Sequence, residues 1–221
     1  MEIKACLFDL DGVIVDTAKY HFNAWKRLAN DLGIDFTLEE NEKLKGISRI
    51  DSLKLILDWG GIEKSEEEML TLAALKNSWY LEMIEAMPAD EILPGVADFI
   101  KILKSENIKI GLGSASKNSE IILKKINLFE AFDVIIDGTK VFKSKPDPEV
   151  FLKGAEALNT LPENCLVFED AISGIEAAIH GGMRVVGIGE SQVLTEADFV
   201  ATGFEQIDWN KLKAFFSTIE N

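Results

Sequence analysis

Several short runs of this chain are dominated by apolar residues and lack the alternation of a half-exposed strand. They are Ile3–Phe8, Ile108–Leu112, Val134–Ile136, Leu166–Phe168 and Val185–Ile188. Such runs, separated by helix-length segments, read as strands of a parallel sheet buried on both faces. The pattern predicts βα units and an α/β fold. It is interrupted once. From about Thr17 to Met83 there is no convincing strand, and the sequence reads as four helices. The first carries Ala18, Phe22, Trp25, Leu28 and Leu32 at spacings of four and three, with Gly33 to end it. The next three open on Thr37-Leu-Glu-Glu40, Ser48-Arg-Ile-Asp51 and Ser65-Glu-Glu-Glu68, the pattern of a capping box. The expected organisation is a core of residues 1–16 plus 88–221, with a helical domain of residues 17–87 inserted after the first strand. Two connections, near Val15–Thr17 and Met83–Leu93, would join them as a hinge.

In an open parallel sheet, ligands bind beyond the carboxyl ends of the strands. The residues just past each apolar run are therefore informative. Asp9 and Asp11 come after the first, and Gly113-Ser114-Ala115-Ser116-Lys117-Asn118 after the second. Asp137 comes after the third, and Glu169 with Asp170 after the fourth. Lys145, in the loop after the third run, can reach the same edge. Like charges this close do not all stay ionised unless a cation shares the site. Asp9, Asp170 and Glu169 are hard oxygen ligands that suit Mg²⁺. A carboxylate also accepts a phosphoryl group, so Asp9 can attack phosphorus while Asp11 moves the proton. Lys145, Ser114 and backbone N–H groups of the turn would hold the phosphoryl oxygens. In the helical insert, Lys45-Gly46-Ile47-Ser48-Arg49 places an arginine in the first turn of a helix, a ready anion site. Taken alone, Arg49 reads equally well as a surface residue. A second anion site opposite Asp9 would fit a substrate with phosphate at both ends.

"FDLDGVIVDT", "GSAS", Lys145 and "FEDAISG" resemble, in order, the four motifs of the haloacid-dehalogenase-like phosphotransferases. The resemblance covers nearly the whole chain. It implies a Rossmann-like, doubly wound parallel sheet with an inserted all-helical cap. It implies Asp9 as nucleophile and Asp11 as general acid/base. It implies Mg²⁺ held by Asp9, the backbone carbonyl of Asp11, Glu169 and Asp170. "KGISRIDSL", "SASKN", "SKPDP" and "EDAISGIEAA" further resemble the sugar-phosphate mutases of that family. The implied partner is a small sugar phosphate. Arg49, Ser116, Lys117 and Asn118 would grip the phosphate that is not being transferred, with Ser114, the Ala115 N–H and Lys145 on the one that is. Lys45, Gly46, Ser52 and Lys76 complete the implied substrate-binding set. His21 and Lys76 would couple substrate binding to the placement of Asp11, and Thr17 sits at the hinge. Without the resemblance, His21 has no assigned role and Lys76 reads as a solvated charge.

Two readings compete with a mutase. One is a sugar-phosphate phosphatase of the same family. The other is a binding module without catalysis, which the intact Asp9, Asp11, Lys145 and Asp170 argue against. Asp137 is assigned no chemistry, and His180 is read as a structural residue at a helix end. Pro146 is a candidate for a cis peptide, as in relatives.

The formal net charge of −15 argues against nucleic-acid or anionic-membrane partners. No apolar run is long enough for a membrane span, and Asp9, Asp11 and Asp16 would interrupt a signal peptide. Cys6 and Cys165 are expected as buried free thiols in a reducing cytoplasm. The family fold would make their strands neighbours and bring the two thiols close. The expectation is a monomeric, cytoplasmic enzyme.

Overall fold

The computed structural model describes residues 2–88 and 90–218. Six strands form one parallel sheet: β1 (Ala5–Phe8), β2 (Lys109–Gly113), β3 (Val134–Ile136), β4 (Cys165–Glu169), β5 (Arg184–Ile188) and β6 (Phe199–Ala201). Their order is β3-β2-β1-β4-β5-β6, so β1 is central and the order reverses beside it. The helices after β1 are α1 (Ala18–Asp31), α2 (Leu38–Glu42), α3 (Arg49–Trp59) and α4 (Glu66–Ala86). The rest are α5 (Val96–Ser105), α6 (Ser119–Lys125), α7 (Glu149–Ala157), α8 (Ile172–His180) and α9 (Trp209–Thr218). This is a Rossmann-like, doubly wound α/β fold.

Every residue of β1 is fully buried, and the period of two sorts its side chains between two cores. Cys6 and Phe8 join a cluster with α5, α6 and α9, whereas Ala5 and Leu7 join one with α7 and α8. A third cluster, with Trp25, Leu28, Phe36, Leu53 and Ile56, lies within α1–α4. Cys6 and Cys165 are indeed free, buried and on neighbouring strands. Cys165 pairs with Ala5, however, and Cys6 with Leu166. That one-residue offset sends the two side chains to opposite faces of the sheet, although Cys165 is near enough to help burial raise the Cys6 pKa.

The edge strand β6 is absent from the sequence reading. Its three residues are flanked by polar ones and two are only half-buried, so no continuous apolar run marks it. The helix starts behave as their side chains dictate. Thr37 and Ser65 form complete capping boxes with Glu40 and Glu68. At Ser48 only half the box forms: its hydroxyl accepts from the Asp51 N–H, and the Asp51 carboxylate does not return to the Ser48 N–H. Aspartate is one methylene shorter than glutamate, and this carboxylate has other partners.

The two connections lie against each other. Leu93 N donates to Ile14 O at 3.0 Å, Asp16 N to Glu91 O at 3.3 Å, and Val15 bridges Ile92. No helix among the described residues is long and apolar enough to cross a membrane.

Candidate active site

The ladder between β1 and β4 is still closed at the first acidic residue, where Asp9 N donates to Phe168 O at 3.0 Å. Phe8 and Phe168, each one residue before an acid, stack with ring centroids 4.7 Å apart. This packing fixes side by side the strand ends that carry Asp9 and Glu169. Beyond Asp9 the chain turns sharply. Gly12 has φ +84°, and the Asp170 carboxyl occupies the place of any Cβ there, so only glycine fits.

Lys145 Nζ lies 2.5 Å from Asp9 Oδ1 and 2.8 Å from Glu169 Oε2, with all three side chains buried. Burial opposes the lysine's charge, but the two carboxylates outweigh it and raise its pKa. The other Glu169 oxygen accepts from the Ala171 N–H at 3.1 Å. Burial, assisted by Asp9, raises the pKa values of both Glu169 and Asp170. Asp9, Glu169 and Asp170 each bring an oxygen within 4.8 Å of the others. That crowd of hard donors, strained by its own charge, fits Mg²⁺. Each of the three carboxylates keeps lone pairs to offer, since the Glu169 oxygens and Asp9 Oδ1 each accept a single hydrogen bond. The peptide bond from Lys145 to Pro146 is cis.

Thr17 is the residue before α1, yet its hydroxyl does not cap the helix and donates instead to Asp11 Oδ1. Burial and the neighbouring Asp9 push Asp11 up to about 6. His21, one turn into α1, has Nε2 3.9 Å from Asp11 Oδ1 and Nδ1 3.1 Å from Lys76 Nζ. Lys76 is 1% exposed. It is no solvated charge: it occupies the buried stripe of α4 with Ala73, Tyr80 and Ile84, against the rings of Trp25 and Tyr80. Burial, then Arg49, lowers it to about 7. Burial, then Lys76 and Arg49, holds His21 well below its ordinary value, so its imidazole is neutral. With Lys76 donating to Nδ1, the ring proton is assigned to Nε2, facing Asp11.

On the helical side, Arg49 is half-buried and has no hydrogen bond or ion pair among the described residues. Across from it, Ser114 Oγ accepts from Ser116 N and Ser116 Oγ from Asn118 N, which shapes the turn into α6. Asn118 Nδ2 donates to Asn77 Oδ1 of α4 at 2.9 Å. Lys45 Nζ lies 3.6 Å from Asp170, and its carbonyl accepts from Ser173 Oγ. Gly46 has φ +75°, and a Cβ there would stand 2.5 Å from Ser173 Oγ.

One cavity is lined by Asp9, Asp11, His21, Lys45, Gly46, Arg49, Ser52, Lys76 and Asp170 together with Ser114, Ala115, Ser116, Lys117 and Asn118. Thr17, Lys145 and Glu169 are not in its wall; Thr17 is bonded to Asp11, Lys145 to Asp9, and Glu169 to Lys145. The sequence reading did not foresee Asn41, Leu44, Ile47, Asn77 and Tyr80 in the lining, and took Trp25 only as core. None carries a pattern that separates it from ordinary helix or turn residues. Asp137 accepts from the Thr139 N–H and hydroxyl, which is a turn and no part of the cavity. His180 Nδ1 lies 3.1 Å from Pro146 O at the end of α8.

A parallel sheet with an acidic strand-end cluster beneath a helical insert is the architecture of an aspartate-centred phosphohydrolase or phosphotransferase. The family model of haloacid dehalogenase-like hydrolases matches residues 3–182, and the chain belongs to that family. It is 44% identical over 200 residues to a β-phosphoglucomutase of Bacillus subtilis, covering 90% of this chain and 88% of that one. A phosphorylated carbohydrates phosphatase of Thermotoga maritima is 31% identical, over 90% of this chain and 93% of its own. Among solved structures, a β-phosphoglucomutase of Clostridium difficile superposes with a TM-score of 0.94 at 42% identity, covering 97% of each chain.

Proposed function

We propose that this chain is a Mg²⁺-dependent β-phosphoglucomutase that interconverts β-D-glucose 1-phosphate and D-glucose 6-phosphate. The observation that carries the reading is one cavity with an anion grip at each end. Asp9, backed by Lys145, and Ser114 mark one end, and the unpaired Arg49, with Ser116, Lys117 and Asn118, marks the other. The resemblance to β-phosphoglucomutases over nine-tenths of the chain supports the choice of sugar.

Asp9 carries the phosphoryl group between half-reactions. The phosphorus–oxygen bond to Asp9 breaks as a sugar hydroxyl attacks, and Asp11 takes the hydroxyl proton. The β-glucose 1,6-bisphosphate formed turns over in the cavity. Asp9 then attacks the other phosphorus, and Asp11 returns the proton to the leaving oxygen. Lys145 offsets charge on the transferring group, and Arg49 with Lys117 and Asn118 holds the distal phosphate. Asp9, the Asp11 carbonyl, Glu169 and Asp170 would hold Mg²⁺, which would supply further neutralisation of phosphoryl charge. Glu169 orients Lys145. Thr17, His21 and Lys76 set the position of Asp11, with Lys45, Gly46 and Ser52 closing the sugar's side. Residues 17–87 act as a cap on the core of residues 1–16 plus 88–221, hinged at the paired connections. The enzyme works as a cytoplasmic monomer.

The test is a reaction with Mg²⁺ and β-glucose 1-phosphate, primed with a trace of the 1,6-bisphosphate, in which glucose 6-phosphate and inorganic phosphate are followed together. Glucose 6-phosphate well in excess is expected. Inorganic phosphate as the main product makes the chain a phosphatase.

A further inference from the structure

The incomplete capping box at the start of α3 has a second partner. Ser48 Oγ donates to Asp51 Oδ2 at 2.6 Å, and the same oxygen accepts from Ser144 Oγ at 3.1 Å, from a loop 93 residues further along the chain. Arg49 lies between Ser48 and Asp51, and Ser144 immediately precedes Lys145. One carboxylate oxygen therefore ties the helical segment that presents Arg49 to the core loop that presents Lys145. Asp51 and Ser144 are absent from the cavity wall, so neither touches a substrate there. Lys54 Nζ, 3.5 Å from Oδ1, keeps the other oxygen occupied on the solvent side.

We infer that Asp51 is a positioning residue whose bond to Ser144 latches the cap over the core and so selects sugar rather than water as the phosphate acceptor. The inference rests on the mutase reading. With either acceptor, the bond from phosphorus to Asp9 breaks, one forms to the acceptor oxygen, and the acceptor proton passes to Asp11. What differs is whether the cap is closed over the sugar phosphate while Asp9 carries the phosphoryl group, since an open cap then admits water to the acceptor's place. A hydrogen bond to an ionised, half-exposed carboxylate shifts a closing equilibrium by about three- to tenfold.

Ser144→Ala removes the core half of the latch and leaves the Ser48–Asp51 cap intact, whereas Ser144→Thr keeps a hydroxyl. The ratio of glucose 6-phosphate to inorganic phosphate in the primed reaction is the readout. It should fall about three- to tenfold in Ser144→Ala and in Asp51→Ala. The double variant should be no worse than the single ones, and Ser144→Thr should recover most of the ratio. Single-turnover phosphorylation of Asp9 by a small phosphodonor should be unchanged in Ser144→Ala. An unchanged ratio in Ser144→Ala, or additive losses in the double variant, overturns the latch while leaving the mutase intact. A wild-type protein that yields only inorganic phosphate overturns both.

Discussion

Arg49 illustrates how far a single residue can be read. From sequence it is an even choice between surface charge and anion grip. The fold supports the anion grip by leaving it half-buried, without a hydrogen-bonded partner among the described residues, and close enough to Lys76 and His21 to depress both. Burial disfavours the Arg49 guanidinium's charge, which an incoming phosphate dianion would offset. Arg49→Ala should lower mutase turnover by about 10- to 100-fold, the loss of one charge-assisted grip. Phosphorylation of Asp9 by a small phosphodonor should largely survive. Comparing the steady-state rate with single-turnover labelling checks this, and equal losses in both would remove Arg49 from the distal site. Lys145 is the opposite case, because its partners are already in place. Lys145→Ala leaves Asp9 and Glu169 buried together without their shared cation. It should cost about 3–5 kcal/mol of stability in metal-free protein at neutral pH, measured by urea unfolding. Thr17, placed by the resemblance at the hinge, does not cap α1 and turns its hydroxyl to Asp11.

At the scale of elements, the five apolar runs became β1–β5 with ends shifted by a few residues at most, because strands buried on both faces are marked by composition alone. The edge strand β6 has no such mark. Helix starts were legible where Ser or Thr met Glu three residues on, and half-legible at Ser48, where Asp51 turns to another loop. The strand-end acids were legible because the sheet's topology dictates where they gather. The helical side of the cavity was not, since Trp25, Asn77 and Tyr80 look like ordinary helix residues. Lys76 is the sharpest example, a buried cation on the inner stripe of α4 that lone sequence reading puts in water. An element that buries a lysine without a carboxylate partner does so at a cost to stability. Its pKa falls from 10.5 to about 7, so between those values the unfolded chain holds a proton that the folded one lacks. Stability from this group therefore rises with pH across that window. Lys76→Met should raise stability at pH 6 by about 1–3 kcal/mol, with the gain shrinking by pH 10, and should reduce turnover. Thermal unfolding at the two pH values checks the sign. A destabilised variant at pH 6 would show that the ring contacts outweigh desolvation.

For the whole molecule, a net charge of −15 surrounds a site built for a doubly anionic ligand. Local charge resolves this, because Lys45, Arg49, Lys76 and Lys117 line the cavity and the bulk charge is screened within about 8 Å at physiological salt. The same arrangement predicts that global stability depends on Mg²⁺. Asp11 sits at about 6 in the folded protein against 3.8 ordinarily, and Asp170 and Glu169 are raised as well. Between the ordinary and folded values, the folded state holds protons that the unfolded chain has lost. Metal-free stability contributed by these groups thus falls as pH rises from about 4, and the penalty is complete once the folded groups ionise. Lys145, whose pKa is raised, contributes equally throughout this range, because its stabilising effect is lost only above 10.5. Mg²⁺ restores charge balance only for ionised carboxylates. The stability margin of Mg²⁺-loaded over EDTA-treated protein should therefore widen from pH 5 to pH 8, by about 1–3 kcal/mol. Urea unfolding in both conditions measures it, and contributions from groups remote from the metal cancel in the difference. Removing Asp170 by Asp170→Asn should flatten the trend. A margin that stays constant with pH in the unaltered protein would mean that the carboxylates at the ends of β1 and β4 do not hold the ion.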